Sequence, residues 1–234
     1  MTYSKSNMIM IALAAFAAIT TFFMTAEAND DFAAIPSPAP DLEATLSDAR
    51  AEAYFAGGCF WCVEADFDKV TGVVETVSGY TGGDVENPTY KQVTYKNTGH
   101  YEAVKVVYDP ETVTYSELVD YFWRHIDPTD GGGQFCDRGF SYLTGIFPSN
   151  AVETEIVNQS KAKLEASGVL ANPIVTKIAD FKTFWPAEDY HQDYYLKNRL
   201  HYARYRRGCG RDQRVAVVWS GEKLAEASDN GHGS

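Results

Sequence analysis

Basic side chains are scarce in this sequence: 20 Lys and Arg stand against 32 Asp and Glu among 234 residues, a formal net charge of −12. That balance excludes nucleic acid as an expected partner, because phosphate backbones are held by clustered positive charge. Lys5 and Glu27 cancel, so the chain is equally acidic without its first 28 residues. Cysteine is scarce as well, four in all, and none precedes Cys59, which excludes a lipid carried on an N-terminal cysteine. Only one C-x-x-C pair exists, Cys59 with Cys62, while Cys136 and Cys209 stand far apart. A four-cysteine zinc site needs a second pair, so its support is weak. No repeat period is present, and the chain reads as one domain with a full-sized core.

The long apolar run lies at the start, from Met8 to Met24. With Lys5 before it and the small-x-small site Ala26-Glu27-Ala28 after it, residues 1–28 read as a signal peptide. The expectation is an exported protein, periplasmic or secreted, with no stable membrane insertion after cleavage. An uncleaved anchor is the alternative, the run being at the short edge of a spanning length. Residues 29–47, polar and then rich in proline (Pro36, Pro38, Pro40), read as a disordered linker. A catalytic domain is expected over residues 48–219 and a disordered tail over 220–234.

Inside the domain, Ala53-Tyr54-Phe55-Ala56 is a short apolar run that stops at Gly57-Gly58, after which Phe60, Val63, Phe67 and Val70 recur at helical spacing. Cys59 therefore stands at a helix start. Such a terminus carries roughly half a positive charge, a field that favours a thiolate. Strands are expected over Val73–Tyr80, Ala103–Tyr108 and Ile174–Asp180, with long loops over Asp84–Asn97 and Asp127–Gly139. Thr114 with Glu117 forms a capping box for a second helix, and Asn150–Ser167 closed by Gly168 gives a third. This alternation is too sparse for a large doubly wound fold. It fits an α+β class: a two-layer α/β sandwich with a mixed, ferredoxin-like sheet, long loops and an extended C-terminal segment.

The cysteines allow three readings from the residues alone. A structural disulfide between Cys136 and Cys209 competes with a redox role for them, and zinc is the weakest. A strand, a glycine turn and a C-x-x-C helix start also match a thioredoxin-like disulfide oxidoreductase. Against that exchanger stand Phe60-Trp61 between the thiols and a set of hydroxyl and carboxyl groups on later loops.

Gly58-Cys59-Phe60-Trp61, Gly79-Tyr80-Thr81-Gly82-Gly83, Asn87-Pro88-Thr89-Tyr90, Gly99-His100-x-Glu102, Tyr108-Asp109-Pro110 and Pro186-Ala187-Glu188-Asp189-Tyr190-His191-Gln192 follow one another in order. This series resembles the peptide methionine sulfoxide reductase A family. The resemblance implies that a Cys59 thiolate attacks the sulfur of methionine S-sulfoxide, releasing methionine and leaving a sulfenic acid that becomes a disulfide. It also implies that Phe60 and Trp61 cradle the substrate methyl group and that Glu102 protonates the departing oxygen. By the same resemblance, Tyr90 and Tyr142 would donate hydrogen bonds to that oxygen, and Asp137 would have a supporting or water-positioning role. No bound cofactor is implied, only an external dithiol reductant of thioredoxin-like type, with oxidised proteins or free methionine sulfoxide as substrates and a monomeric enzyme. The chain departs from the family pattern at Cys62, where glycine is frequent, at Cys136, and in a C-terminal segment without the glycine-rich, two-cysteine tail. Three resolving cysteines remain open: Cys209 first, Cys62 second, and Cys136 third or purely structural.

Overall fold

A computed structural model describes residues 50–220. The expected signal peptide at 1–28, the linker at 29–47 and the tail beyond Ser220 lie outside the described residues. In chain order come β1 (Ala51–Gly57), α1 (Phe60–Phe67), β2 (Val73–Thr81), α2 (Tyr90–Tyr95), β3 (Tyr101–Tyr108) and α3 (Tyr115–Arg124). A two-residue hairpin follows, β4 (Gly133–Gln134) with β5 (Asp137–Arg138), and then β6 (Thr144–Ile146), α4 (Ala151–Ser167), β7 (Lys177–Ile178) and β8 (Trp185–Pro186). Three helices end the described chain: α5 (Tyr194–Lys197), α6 (Arg199–Gly208) and α7 (Arg211–Trp219).

The six-stranded sheet runs β7-β6-β1-β3-β2-β8, with β6 and β7 parallel and the other neighbours antiparallel. Its central order β6-β1-β3-β2 places β3 between the two strands of the first β-α-β unit, the split arrangement of a ferredoxin-like sheet. β1 has neighbours on both edges and covers on both faces, which is why its sequence is a continuous apolar run rather than an alternation. Ala53 and Phe55 face the helices with Val63, Phe67, Leu118, Phe122 and Ile156. Phe55 stacks between Phe67 and Phe122, with ring centroids 4.9 and 5.0 Å away. Tyr54 and Ala56 face the other way with Ala103 and Phe147, under a loop carrying Phe181 and Phe184.

The predicted caps are present. Thr114 Oγ1 accepts the Glu117 N–H at 3.2 Å while Glu117 Oε2 accepts the Thr114 N–H at 2.8 Å. Asn150 caps α4, and Gly168 ends it in the left-handed region at φ 67°. Two local expectations are corrected. The loop expected over 84–97 contains α2, started by the Thr89 N–H donating to Gln92 Oε1 at 2.8 Å. The strand expected over Ile174–Asp180 shrinks to Lys177–Ile178 because the N–H groups of Val175 and Thr176 bond the Pro128 carbonyl instead of a strand. The C-terminal segment is helical, a feature absent from the sequence reading; α6 has no apolar periodicity and buries no residue fully.

Candidate functional site

Gly57 and Gly58 turn β1 into α1. Gly58 sits at φ +83°, and a Cβ there would come within 2.5 Å of Gln134 Cβ; only glycine satisfies both the backbone sign and the packing. Cys59 is then the N-cap of α1, and its carbonyl accepts from the N–H groups of Cys62 and Val63 at 3.1 and 3.4 Å. Its thiol makes no capping bond. The Phe60 N–H donates instead to Glu102 Oε2 at 3.1 Å, the carboxyl arriving from the start of β3. The open end of the helix is therefore occupied by Glu102.

Burial raises the Glu102 carboxyl to about 8, against the opposing pull of the Phe60 N–H, so it holds a proton at neutral pH. Cys59 and Cys62 are both free and buried, and their thiols are hydrogen-bonded to one another. Burial pushes Cys59 well up, while the bond from Cys59 and the charges of Arg211 and Arg206 bring Cys62 down to about 7. The expectation that the helix start would depress Cys59 is thus corrected: burial pushes its thiol up, the Phe60 N–H is taken by Glu102, and of the two thiols Cys62 is the one brought down.

Tyr90, the first residue of α2, and Tyr142, in a 3₁₀ turn over Phe140–Tyr142, bring their hydroxyls together, and Tyr142 also bonds Glu102. Burial raises both phenols, Tyr90 to about 12, so both are proton donors at neutral pH. Phe60 is buried beside Tyr90 and His191, at centroid distances of 6.4 and 4.9 Å. Trp61 Nε1 donates to His191 Nδ1 at 3.1 Å. Burial lowers His191 and keeps it neutral, as an acceptor must be. Cys59, Phe60, Trp61, Tyr90, Glu102 and Tyr142 therefore gather around one recess. Asp137, at the start of β5, reaches it through a third phenol: the Tyr205 hydroxyl donates to Asp137 Oδ2 and bonds the Cys59 sulfur. Burial raises the Asp137 carboxyl, with the Tyr205 bond opposing.

Cys136 and Cys209 form a disulfide across 73 residues, with Cα atoms 4.9 Å apart. This is the pairing weighed in the sequence as a structural bridge. The Cys209 sulfur lies 3.7 Å from Asp137 Oδ2.

The sequence reading missed several neighbours of the site. Glu188 accepts from the Tyr80 hydroxyl at 2.9 Å and from the Tyr90 N–H at 3.0 Å, fixing the start of α2. Gln192 grips both backbone groups of Ser78, at 2.9 Å each. His191, Tyr194 and Tyr205 surround Trp61. The signal for the first three was the motif run from Pro186 to Gln192; Tyr205, inside the basic patch 204–207, had none. An open groove of about 500 Å³ beside β2, lined by Asp68, Thr76, Pro186 and Gln192, includes none of the reacting residues.

The family model described as peptide methionine sulfoxide reductase matches residues 51–223. A peptide methionine sulfoxide reductase MsrA of Bacillus pumilus is 48% identical over 175 residues, covering 75% of this chain and 98% of the relative. A peptide methionine sulfoxide reductase MsrA/MsrB of Vibrio cholerae is 49% identical over 172 residues, 74% of this chain but 46% of that longer protein. In structure, the chain is similar to methionine sulfoxide reductase A of Corynebacterium diphtheriae, with a TM-score of 0.58, 35% identity and coverage of 70% of this chain and 83% of the other. The family match spans the strands, the recess and the helices that follow, and the chain belongs to the peptide methionine sulfoxide reductase family.

Proposed function

We propose that this oxidoreductase reduces the S epimer of methionine sulfoxide, in oxidised proteins or as the free amino acid, with Cys59 as the attacking sulfur. The observation that carries the reading is a buried Glu102 carboxyl, raised by that burial to about 8, held at the N-terminus of α1 beside the thiol pair with the Tyr90 and Tyr142 hydroxyls. A sulfoxide oxygen leaves poorly until it is protonated, so the acid must lie near the attacked sulfur. The Cys59 proton passes to the Cys62 side of the pair and the Cys59 thiolate attacks the sulfoxide sulfur. Glu102 delivers its proton to the oxygen while Tyr90 and Tyr142 hydrogen-bond to it. The S–O bond breaks as the hydroxyl passes to Cys59; the substrate sulfur is reduced by two electrons and Cys59 becomes a sulfenic acid.

Cys62 is the resolving thiol that this geometry favours. It is free, one turn away and already hydrogen-bonded to Cys59, whereas Cys209 is joined to Cys136. Attack of Cys62 on the sulfenic acid forms the Cys59–Cys62 disulfide and releases water, and an external thioredoxin-like dithiol restores both thiols. The enzyme works as a monomer without a bound cofactor. The export reading rests on Lys5, the run Met8–Met24 and Ala26-Glu27-Ala28; N-terminal sequencing of the protein recovered outside the cytoplasm tests it.

The deciding experiment is turnover of the two sulfoxide epimers with a dithiol reductant. Consumption of the S epimer alone is expected, and equal use of both or of neither sinks the reading. A thioredoxin-like exchanger would instead reduce insulin with no sulfoxide present, and would leave Glu102, Tyr90 and Tyr142 without a task.

A further inference from the structure

The reacting sulfur is closed off. Cys59 is 6% exposed, Phe60 and Glu102 each 1%. Part of the cover over Cys59 comes from the C-terminal helices. The Tyr194 ring lies flat on Trp61 at a centroid distance of 3.7 Å and an angle of 6°, covering one face of the indole. Tyr205 meets Trp61 edge-on at 5.8 Å, and its hydroxyl bonds both Cys59 and Asp137. That hydroxyl takes the hydrogen bonds that would otherwise be free to meet an incoming polar group.

The covering segment hangs between two firm anchors. Before it, the Asp193 N–H donates to buried Glu64 Oε1 at 3.1 Å. After it, buried Arg211 donates to the Gly57 and His125 carbonyls at 3.0 and 2.9 Å, and buried Trp219 donates to the Ile126 carbonyl at 3.1 Å. Between the anchors, α5 and α6 bury no residue fully. Little apolar area resists their lifting, and segments of that kind are drawn from the low-stability end of a fold. The polar fastenings include Arg206 on Asp66 at 2.8 Å, Tyr205 on Asp137, Tyr195 on Asp68 at 2.7 Å and Lys197 on the Gln192 carbonyl at 2.7 Å. The covalent one is Cys209, the residue that ends α6, bonded to Cys136 in the β4–β5 turn. Cys136 is exposed while Cys59 is buried, so an external thiol reaches this disulfide before it can reach the recess.

We propose that α5 and α6 form a lid plugged by Tyr205, and that the Cys136–Cys209 disulfide is its redox latch: a dithiol reductant opens the recess by cutting the latch. One thiolate of the dithiol attacks the Cys136 sulfur, forming a mixed disulfide and releasing the Cys209 thiolate. The second thiol then displaces Cys136. The dithiol is oxidised to its disulfide, and Cys136 and Cys209 each end with a proton. The catalytic consequence rests on Cys59 being the attacking thiol, as proposed above; the change in access does not.

The test compares three forms of the full chain: latched; reduced with dithiothreitol and then freed of it without air; and Cys136→Ser/Cys209→Ser. Two rates are read in each. One is N-ethylmaleimide labelling of Cys59, assigned by mass mapping, and the other is methionine release in a single turnover without added reductant. Both should rise at least about tenfold in the two unlatched forms, because removing a cross-link favours the open ensemble. Tyr205→Ala should accelerate labelling with the latch intact. Faster labelling with no methionine released in any form upholds the lid and refutes the sulfoxide reading. Equal labelling and equal release in all three forms overturn the lid and leave the reductase reading standing. The reduced native chain carries no substitution, so misfolding of the double variant does not remove the comparison.

Discussion

The Phe60 N–H donates to Glu102 Oε2 at 3.1 Å, joining the first turn of α1 to the first residues of β3. The helix terminus that in sequence looked like an activator of the Cys59 thiol is occupied by the proton donor. A 42-residue separation hides this bond from any local reading of the chain.

The first chemical step should therefore have a bell-shaped pH profile. The thiol pair must lose a proton, so the rate rises through about 7, the value to which Cys62 is lowered. Glu102 must keep its proton, so the rate falls through about 8, the value to which burial raises it. Stopped-flow single turnovers on the unlatched enzyme measure both limbs.

Glu102→Gln keeps the hydrogen bond from Phe60 but removes the acid. The step should slow about 10²- to 10⁴-fold, and the descending limb should vanish. An unchanged single-turnover rate would remove Glu102 from the chemistry.

Cys59→Ser should abolish methionine release. Cys62→Ser should release one methionine and then stop at a sulfenic acid trappable with dimedone. In Cys209→Ser the Cys59–Cys62 disulfide should still form; a sulfenic acid persisting there, with no such disulfide, would make Cys209 the resolving thiol.

Trp219 anchors the far end of the lid and is buried against Ile126. Trp219→Ala should cost about 3–5 kcal/mol in urea unfolding, the usual range for losing a buried aromatic. Trp219→Phe, which loses chiefly the hydrogen bond, should cost about 1 kcal/mol.

Glu64 is buried and its carboxyl is raised from 4.5 to about 7 by desolvation. A folded value raised above the unfolded one gives stability that is present below the unfolded value and lost as pH climbs through the folded one. The urea midpoint should therefore fall between about pH 4.5 and 7, and less steeply in Glu64→Gln. A variant with the same slope as the native chain would show that Glu64 does not contribute.

Periodicity and caps made most of the sheet-and-helix frame legible. The run at Ala53–Ala56, the helical spacing after Phe60, the Thr114–Glu117 box and Gly168 each express a local rule, and each marks an element of the structure. β7 was drawn too long because alternation records burial, whereas pairing depends on where each N–H goes; at Val175 and Thr176 it goes to Pro128. Cys59 was legible from the glycine turn and helix start, but Tyr90, Glu102 and Tyr142 could be named only through the motif series, since they lie on three separate elements. α6 was invisible because tyrosines and arginines, with no apolar stripe, hold it in place. Tyr205 and Arg206 act by reaching Asp137 and Asp66, and distance in sequence conceals both.

Burial of Cys59 beneath Tyr205 also bears on a molecule that has no substrate to repair. Peroxide converts an accessible thiolate through sulfenic acid to sulfinic acid, which ordinary dithiols do not reverse. A sulfur at 6% exposure, its thiol pushed up by burial, offers peroxide little access and little thiolate. The latched enzyme should therefore lose Cys59 to over-oxidation more slowly than the unlatched form when peroxide is present and substrate is not.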